Sequence, residues 1–290
     1  MLGVPSEVVF QAVVNGLILG GIYALVAGGL TLVFGVMGII NVAHGDMLMV
    51  SMFSAYYIVT LFGISPYIAI LIVTPIMFVV GLLMYQVFLS PIINAPHINQ
   101  ILLTVALSLL IQNIAIFVFG GDYLSLNIPL SDKTVSIFGA ILTVPQLLAF
   151  VLSLVTSAMF YMMLKHTDFG RSLRAVAQNR RGAMVVGINV PRAYMMSFGI
   201  GCAMLGIAGP LLLPIYYVHT DVGSLFLLVA FVVVVMGGLG NFLGALIAGL
   251  IIGVTEAVAG LVVSPSLAPI SNFIIFILIL LFRPAGLIRV

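Results

Sequence analysis

Long apolar runs, separated by short polar or glycine- and proline-rich segments, extend along the whole chain. Many of these runs reach about 20 residues, which is enough for a helix to cross the hydrocarbon core of a bilayer. They are apolar continuously, whereas the strands of membrane barrels alternate between apolar and polar positions. Because the backbone must satisfy its own hydrogen bonds in lipid, the pattern predicts an all-α polytopic membrane protein.

The pattern predicts eight to nine transmembrane helices with broken or re-entrant segments. The predicted spans are 8–29, 47–62, 67–89, 101–119, 141–164, 193–218, 222–236, 242–263 and 269–282. The apolar but glycine-punctuated piece 31–42 is predicted to be broken or re-entrant. Glycines at 237–241 interrupt the apolar stretch 222–263, which makes nine crossings if it forms two helices and eight if it forms one kinked helix.

Composition agrees with a membrane protein. Hydrophobic residues make up 63% of the chain, charged residues only 6%, and the mean hydropathy is +1.38. Soluble domains are about 45–50% apolar. No basic segment precedes the first apolar run, so we predict a retained span rather than a cleaved signal peptide. The net charge of +2 argues against nucleic acid as a partner.

One charged segment, 165–192, holds six of the nine basic residues. Lysine and arginine accumulate in cytoplasmic loops, so we predict that this segment is cytoplasmic. Counting back through five spans places the N-terminus on the outside. Arg283 and Arg289 favour a cytoplasmic C-terminus, which supports nine crossings over eight.

The charged segment has the signals of a helical hairpin. Thr167 or Asp168 can cap a helix, and the spacing predicts a short helix over 171–181. Gly182 is predicted to interrupt this helix, and one further turn follows before Gly187 ends it.

Cationic and apolar side chains fall on different faces of the predicted helix. The cationic face carries Arg171, Arg174 and Arg181, with Gln178 near it, and the apolar face carries Leu173, Val176 and Ala177. A compact, cationic and half-apolar hairpin is typical of a docking element for a cytoplasmic protein. The alternative is an ordinary positive loop that binds lipid headgroups.

Several polar residues are predicted to lie at membrane depth, where an ionisable group costs roughly 2.5–3.5 kcal/mol and usually faces a cavity or the rim. These candidates for a translocation path or gate are Asn41, His44, Asp46, Gln112, Asn113 and Glu256. Asn41 and His44 would share one face of a helix. The alternative is that such groups satisfy helix ends or bond neighbouring helices. No second histidine, cysteine or carboxylate cluster lies at ligand spacing, so no metal site is predicted.

Glycines four residues apart predict close helix packing in lipid. The pairs are Gly16 with Gly20, Gly240 with Gly244, and Gly249 with Gly253. We interpret them as packing within one subunit; the alternative is that these faces slide or line a pathway.

Four motifs resemble one transporter family. They are the segments 169–179 with Gly187-Ile188, 38–45, 237–244 and 282–287. Together they resemble the coupling loop, early signature, late glycine motif and C-terminal ending of bacterial branched-chain amino-acid ABC permeases. The similarity extends nearly end to end and is strongest to the shorter, H-type half. Urea and short-chain amide permeases share the late glycine motif and the coupling loop.

The resemblance implies one transmembrane permease domain, 1–290, with a cytoplasmic coupling loop, 165–192, in the bacterial inner (plasma) membrane. The implied coupling residues are Gly170, Arg171, Arg174, Ala175, Gln178, Asn179 and Gly187. The implied partners are a paralogous permease subunit, two cytoplasmic ABC ATPase subunits and a periplasmic binding protein for leucine, isoleucine or valine. No cofactor is implied for this chain, since the partner subunits bind ATP.

The residues also bear on activity. The chain has no G-x-x-x-x-G-K-[ST] motif, so it is not the ATPase and is not predicted to be an enzyme. The first alternative function is a urea or short-chain amide permease. The second is an ion-coupled secondary transporter that uses Glu256. The third is an intramembrane enzyme built on His44, Asp46 and Glu256, which no nucleophile motif accompanies.

Overall fold

The computed structural model describes residues 5–137, 139–283 and 286–288. Its helices are α1 (Ser6–Met37), α2 (His44–Phe62), α3 (Pro66–Met84), α4 (His97–Phe119), α5 (Val144–His166), α6 (Asp168–Gln178), α7 (Arg180–Val185), α8 (Val190–Leu212), α9 (Val222–Gly237), α10 (Phe242–Val262) and α11 (Ala268–Phe282). A π-helical turn, Tyr85–Leu89, and a 3₁₀ turn, Ser90–Ile92, continue α3. Seven helices in the described part are long and apolar enough to cross a bilayer, and α9 and α11 are apolar but shorter. The predicted all-α polytopic fold is confirmed.

A short antiparallel hairpin precedes α5. Its strands are β1 (Thr134–Ile137) and β2 (Ala140–Thr143), and Thr134 pairs with Thr143. The sequence prediction began the fifth span at 141, and this was wrong because 141–143 belong to β2. Thr143 instead caps α5, since its hydroxyl accepts a hydrogen bond from the Gln146 amide while the Gln146 side chain bonds back to Thr143.

Two helices form the centre of the bundle. In α1 83% of the most apolar window is buried, and in α8 the share is 72%. α1 runs antiparallel to α10, with Gly16 opposite Val254 at one end and Gly35 opposite Gly240 at the other. α8 packs mainly against α3, α1 and α2. The remaining helices surround this pair.

The predicted break near residues 29–31 is wrong, because α1 continues to Met37 and ends only at Gly38, whose φ is +69°. Gly29 lies inside the helix, at a point where α8 approaches too closely for a side chain. A Cβ at Gly29 would lie 2.7 Å from the Gly201 carbonyl oxygen. The glycine therefore marks a helix contact and not a helix end.

The connection 38–43 turns back along α1. His44, the first residue of α2, lies with Nε2 3.0 Å from the Val26 carbonyl oxygen. α1 extends about 16 Å of helix beyond Val26 to Met37. Re-entrant character is thus confined to the connection. Asn41 lies in this turn, so the prediction that it shares a helical face with His44 is wrong.

α9 and α10 form a tight hairpin at the predicted interruption. α9 ends at Gly237, and Asn241 caps α10 by accepting a hydrogen bond from the Gly244 amide. Gly240 lies in the turn with φ +84°. Gly240 therefore lies outside the helix that carries Gly244, but both glycines make the predicted close contacts, Gly240 with Gly35 of α1 and Gly244 with the backbone of Gly237.

The end of the described chain lies beside this turn. The Leu287 amide donates to the Met236 carbonyl (2.8 Å), and the Asn241 side chain donates to the Ile288 carbonyl (3.2 Å). Gly240 and Arg174 line one cleft, so the α9–α10 turn and α6 lie at the same end of the molecule. Arg289 lies outside the described residues.

The start of α1 and the β hairpin lie together, away from α6. The Gln11 side chain exchanges two hydrogen bonds with the backbone of Ile141, at 2.9 Å and 2.7 Å. Gly16, further along α1, packs on the end of α10 opposite to the α9–α10 turn.

Candidate functional site

The helical hairpin α6–α7 is firmly attached to the bundle. The Thr167 hydroxyl accepts a hydrogen bond from the Gly170 amide (3.0 Å), so Thr167 is the cap of α6. Gly170 lies directly on the backbone of Leu164 in α5, where a Cβ would collide. Leu173 and Val176 are buried as predicted, and α6 packs on α5, α1 and α8. A movement of this hairpin would therefore also displace α5 and α8.

The break between the two helices is not at Gly182. α6 ends at Gln178, and Asn179 adopts an extended conformation and caps α7, its side-chain oxygen accepting from the Gly182 amide (2.9 Å). Asparagine at a cap satisfies an otherwise free helix amide. Gly187, with φ +86°, ends the hairpin as predicted.

The outward surface of α6 is cationic and polar. Arg171 forms an ion pair with Asp168, and the Arg174 guanidinium donates to the Lys165 carbonyl (3.3 Å). Ala175 is half-buried and Gln178 is exposed. Ala177 is also exposed, which corrects its predicted place on the buried face; Arg181 lies on α7 and so not on the face of Arg171.

An apolar tip on α7 was missed at the sequence level. Met184, Val185 and Val186 follow one another and are all exposed, Val185 by 87%. Three successive apolar residues inside a basic loop were the signal. Arg180 is not part of this free surface, because it donates to Asn94 (2.9 Å) and stacks on the Tyr194 ring (5.6 Å to the centroid).

Polar side chains gather where α2 begins. Asn41, His44 and Asp46 are all buried, and Asp46 accepts a hydrogen bond of 2.5 Å from the Ser108 hydroxyl of α4. The His44 Nε2 donates to the Val26 carbonyl, so in the neutral ring Nδ1 is the unprotonated nitrogen. His44 Nδ1 and Asn41 Nδ2 have no partner in the described part of the chain. Sequence reasoning found three of these residues but not Ser108.

The next turn of α4 reaches the start of α9. The Gln112 amide donates to Asp221, which precedes α9, at 2.7 Å. Asn113 instead donates to the Leu109 carbonyl of its own helix, so the structure does not join it to the other candidates. The backbones of Gly45 and Gly223 are in direct contact, so the first turns of α2 and α9 meet.

Glu256 lies apart from this cluster, beside a cavity. Its Oε2 accepts hydrogen bonds from the Tyr23 hydroxyl (3.1 Å) and from the Asn272 amide (2.7 Å). Asn272 was not predicted, because a single amide in an apolar helix gives no signal of its partner. His219 lines the same cavity, and burial lowers the pKa of His219 against the opposing effect of Asp221.

The glycine pairs on α1 and α10 face each other. Gly16 and Gly20 lie against the backbone of α10, and Gly249 and Gly253 lie against the backbone of α1. All four therefore serve packing within this chain. Small residues let helix backbones approach in lipid, where van der Waals contact drives helix association.

Comparison with known sequences agrees with the motifs. Residues 12–282 match a family model described as the permease component of branched-chain amino acid transport systems. The chain is 28% identical to the high-affinity branched-chain amino acid transport system permease protein LivH of Salmonella typhimurium, over 96% of this chain and 94% of that protein. It is 29% identical to LivH of Escherichia coli over the same shares. It is also 29% identical to the permease protein BraD of Pseudomonas aeruginosa, over 96% of this chain and 95% of that protein. No solved structure gives a significant match.

Proposed function

Since this chain belongs to the family of permease components of branched-chain amino acid transport systems, we propose that it is the membrane subunit of an ATP-driven importer for leucine, isoleucine and valine. Its proposed partners are a paralogous permease subunit, two cytoplasmic ABC ATPases and a periplasmic binding protein. In this arrangement the N-terminus is periplasmic, the hairpin α6–α7 is cytoplasmic, and the whole lies in a bacterial inner membrane.

The observation that supports coupling is the two-sided character of the hairpin. Its inner side, with Leu173 and Val176, is buried on the bundle, while its outer side presents Arg171, Arg174 and the apolar tip at Val185. An apolar centre with charged surroundings is the composition of a protein interface. The energy source must lie in a partner, because this chain has no phosphate-binding loop.

The proposed mechanism is alternating access. ATP binding draws the two ATPases together and displaces the hairpins seated on them. Each hairpin is joined to α5 through Thr167 and to α8 through 186–189, so both helices move with it. A ligand shifts such an equilibrium only by its different affinity for the two states. The pathway should therefore bind substrate weakly, with selection left mainly to the binding protein.

The test is charge reversal on the hairpin. The double variant Arg171→Glu/Arg174→Glu should lose ATPase co-purification and about tenfold or more of leucine uptake, because like charges across an interface repel. The control is Lys133→Glu, an exposed lysine beside β1. Normal uptake with ATPases still bound to the double variant would refute the coupling role. Uptake of urea but not leucine by the unaltered transporter would favour the amide permease alternative.

A second measurement tests the sidedness. Cys202 is the single cysteine and is buried, so it gives little background. A cysteine placed at Val185, which is 87% exposed in the isolated chain, should react with an impermeant maleimide in inside-out vesicles that carry the permease without the ATPases, and not in intact cells. Reaction in intact cells would place the hairpin outside and refute the proposed topology.

A further inference from the structure

A cavity of about 250 Å³ lies between α1, α9, α10, α11 and the α8–α9 connection. Its walls include aromatic rings in fixed mutual geometry. Phe226 packs edge-on against Tyr23, with 5.8 Å between ring centroids, and against Tyr216, with 5.4 Å. A concave site with a mainly apolar lining and few polar groups is the usual form of a small-molecule site.

Two oxygen atoms of the polar groups in this cavity receive no hydrogen bond from the described residues. Both donors that reach Glu256, the Tyr23 hydroxyl and the Asn272 amide, bond to Oε2. Within the described part of the chain, no donor reaches Glu256 Oε1, and the buried Asn272 Oδ1 has no partner. No lysine or arginine is among the described residues that line the cavity. The two donors on Oε2 compensate this carboxylate in part, and no cationic side chain among these lining residues completes the compensation.

The geometry favours an ammonium group over a metal ion. Calcium and magnesium require six or more oxygen ligands, and Glu256 and Asn272 supply only a few. A primary ammonium has three donors and no acceptor, which suits two unpartnered oxygens, and neighbouring aromatic faces attract cations. The remaining apolar wall suits an aliphatic chain attached to that ammonium.

We propose that this cavity binds an aliphatic α-amino acid, with its ammonium group on Glu256 and Asn272 and its side chain against Tyr216 and Phe226. The proposal rests on the proposed function, since it places the substrate of that importer in this chain. The cavity also holds a donor for the carboxylate. Nδ1 of His219 accepts from the Asp221 amide (3.3 Å), so the neutral ring carries its proton on Nε2.

The experiment measures ligand protection of a cysteine in the cavity. Leu225→Cys and Tyr217→Cys each place a thiol on a lining residue that is 59% or 62% exposed. Maleimide labelling of the assembled transporter is followed with rising leucine, and with 2-hydroxy-4-methylpentanoate, which replaces the ammonium by a hydroxyl. Leucine should slow labelling, and the hydroxy acid should need a concentration about tenfold higher or more.

The decisive variant is Glu256→Gln, which keeps an oxygen for Tyr23 and Asn272 but removes the negative charge. It should raise the half-protecting leucine concentration about tenfold or more and abolish the preference over the hydroxy acid. Glu7→Gln, a carboxylate exposed in the first turn of α1, is the matched control and should change neither.

Three outcomes would overturn the proposal: no labelling at either cysteine, labelling that no amino acid slows, or equal protection by both ligands in the parent protein. None of these outcomes refutes the proposed importer function if leucine uptake and ATPase co-purification persist. Loss of those two activities in the unaltered protein would instead refute the proposed function. The two failures are therefore distinguishable.

Discussion

The helices α1 and α4 have almost the same mean hydropathy, 2.2 and 2.4, but opposite surroundings. In α1 83% of the most apolar window is buried inside the protein, and in α4 only 17%. Lipid is as apolar as a protein core, so hydropathy identifies both as spans without separating the central helix from the peripheral one. The difference lies in how each helix is attached to its neighbours.

α1 attaches by glycine contacts and α4 by a polar stripe. The stripe has a spacing of four residues and consists of Gln100, Thr104, Ser108 and Gln112. Gln100 donates to the carbonyls of Ile92, Ile93 and Ala95. Thr104 donates to the Ile40 carbonyl, Ser108 to Asp46 and Gln112 to Asp221. These are the two means of helix association in lipid, namely close backbone approach and interhelical hydrogen bonds. Backbone contacts tolerate no added atom, so substitutions at the glycines should lower the free energy of unfolding more than substitutions in the polar stripe.

The largest effect is expected from Gly253→Ala in the contact between α10 and α1. The new methyl would collide with the backbone of Gly16 and Gly20, which cannot rotate aside as a side chain can. We expect a loss of about 3 kcal/mol in the free energy of unfolding, as for severe overpacking of a core. Denaturant titration of the purified chain in mixed micelles measures it.

Gly260→Ala, in the same helix, is the matched control. The nearest atom to its new methyl would be the Ala268 Cβ at 3.5 Å, an ordinary contact. Alanine should then stabilise the helix by about 0.5–1 kcal/mol through its higher propensity. Equal losses at both glycines would contradict the view that backbone contact, and not glycine itself, determines the sensitivity.

A smaller effect is expected from Ser108→Ala on the stripe of α4. It removes the hydrogen bond to Asp46 and leaves a buried carboxylate with one donor fewer. The loss in the free energy of unfolding should be about 1–2 kcal/mol. This lies between the contribution of a typical interhelical hydrogen bond in lipid and that of a hydrogen bond to a charged group. Asn113→Leu, whose amide bonds only within α4, should leave the stability unchanged in the same titration.

These contrasts indicate how far the sequence predicts the fold. The apolar runs gave the helical spans, and the glycine–asparagine segment 237–241 gave the α9–α10 turn, because both signals are local. The helix through Gly29 was missed, since a glycine there signals a helix end locally, and only the close approach of Gly201 from a distant part of the chain identifies it as a packing contact. The end of α6 at Gln178 was missed because Asn179 and Gly182 are both common residues at helix boundaries, and only the capping bond from the Gly182 amide to Asn179 decides between them.

The candidate residues were predicted more easily than their partners. Charged or polar groups in an apolar helix stand out, so Asp46 and Glu256 were found. Ser108 and Asn272, which bond to them, are separated from them by 62 and 16 residues. No single sequence encodes which helices become neighbours, and so the hydrogen-bonded pairs and the cavity came only from the structure.

A still smaller loss in the free energy of unfolding is expected for Thr104→Val. The Thr104 hydroxyl bonds to the Ile40 carbonyl (3.1 Å) and to the Ile101 carbonyl of its own helix (3.0 Å). Valine keeps the shape and loses only these weak bonds, so we expect about 0.6 kcal/mol, the average for an interhelical bond in a membrane protein. A loss as large as that of Ser108→Ala would show that the charge on Asp46 is not what strengthens the stripe.

The smallest effect is expected from Phe117→Ala on the outer side of α4. The Phe117 side chain is 92% exposed, and in a bilayer it exchanges protein contact for lipid contact at little net change. The free energy of unfolding of the isolated chain should stay within about 0.5 kcal/mol, as for surface positions generally. Measured in the assembled transporter, the same variant reports whether lipid or a second permease subunit covers α4. A loss above about 1 kcal/mol that appears only in the assembly would place the partner on this face, because burial of an aromatic ring against protein adds packing that lipid does not supply.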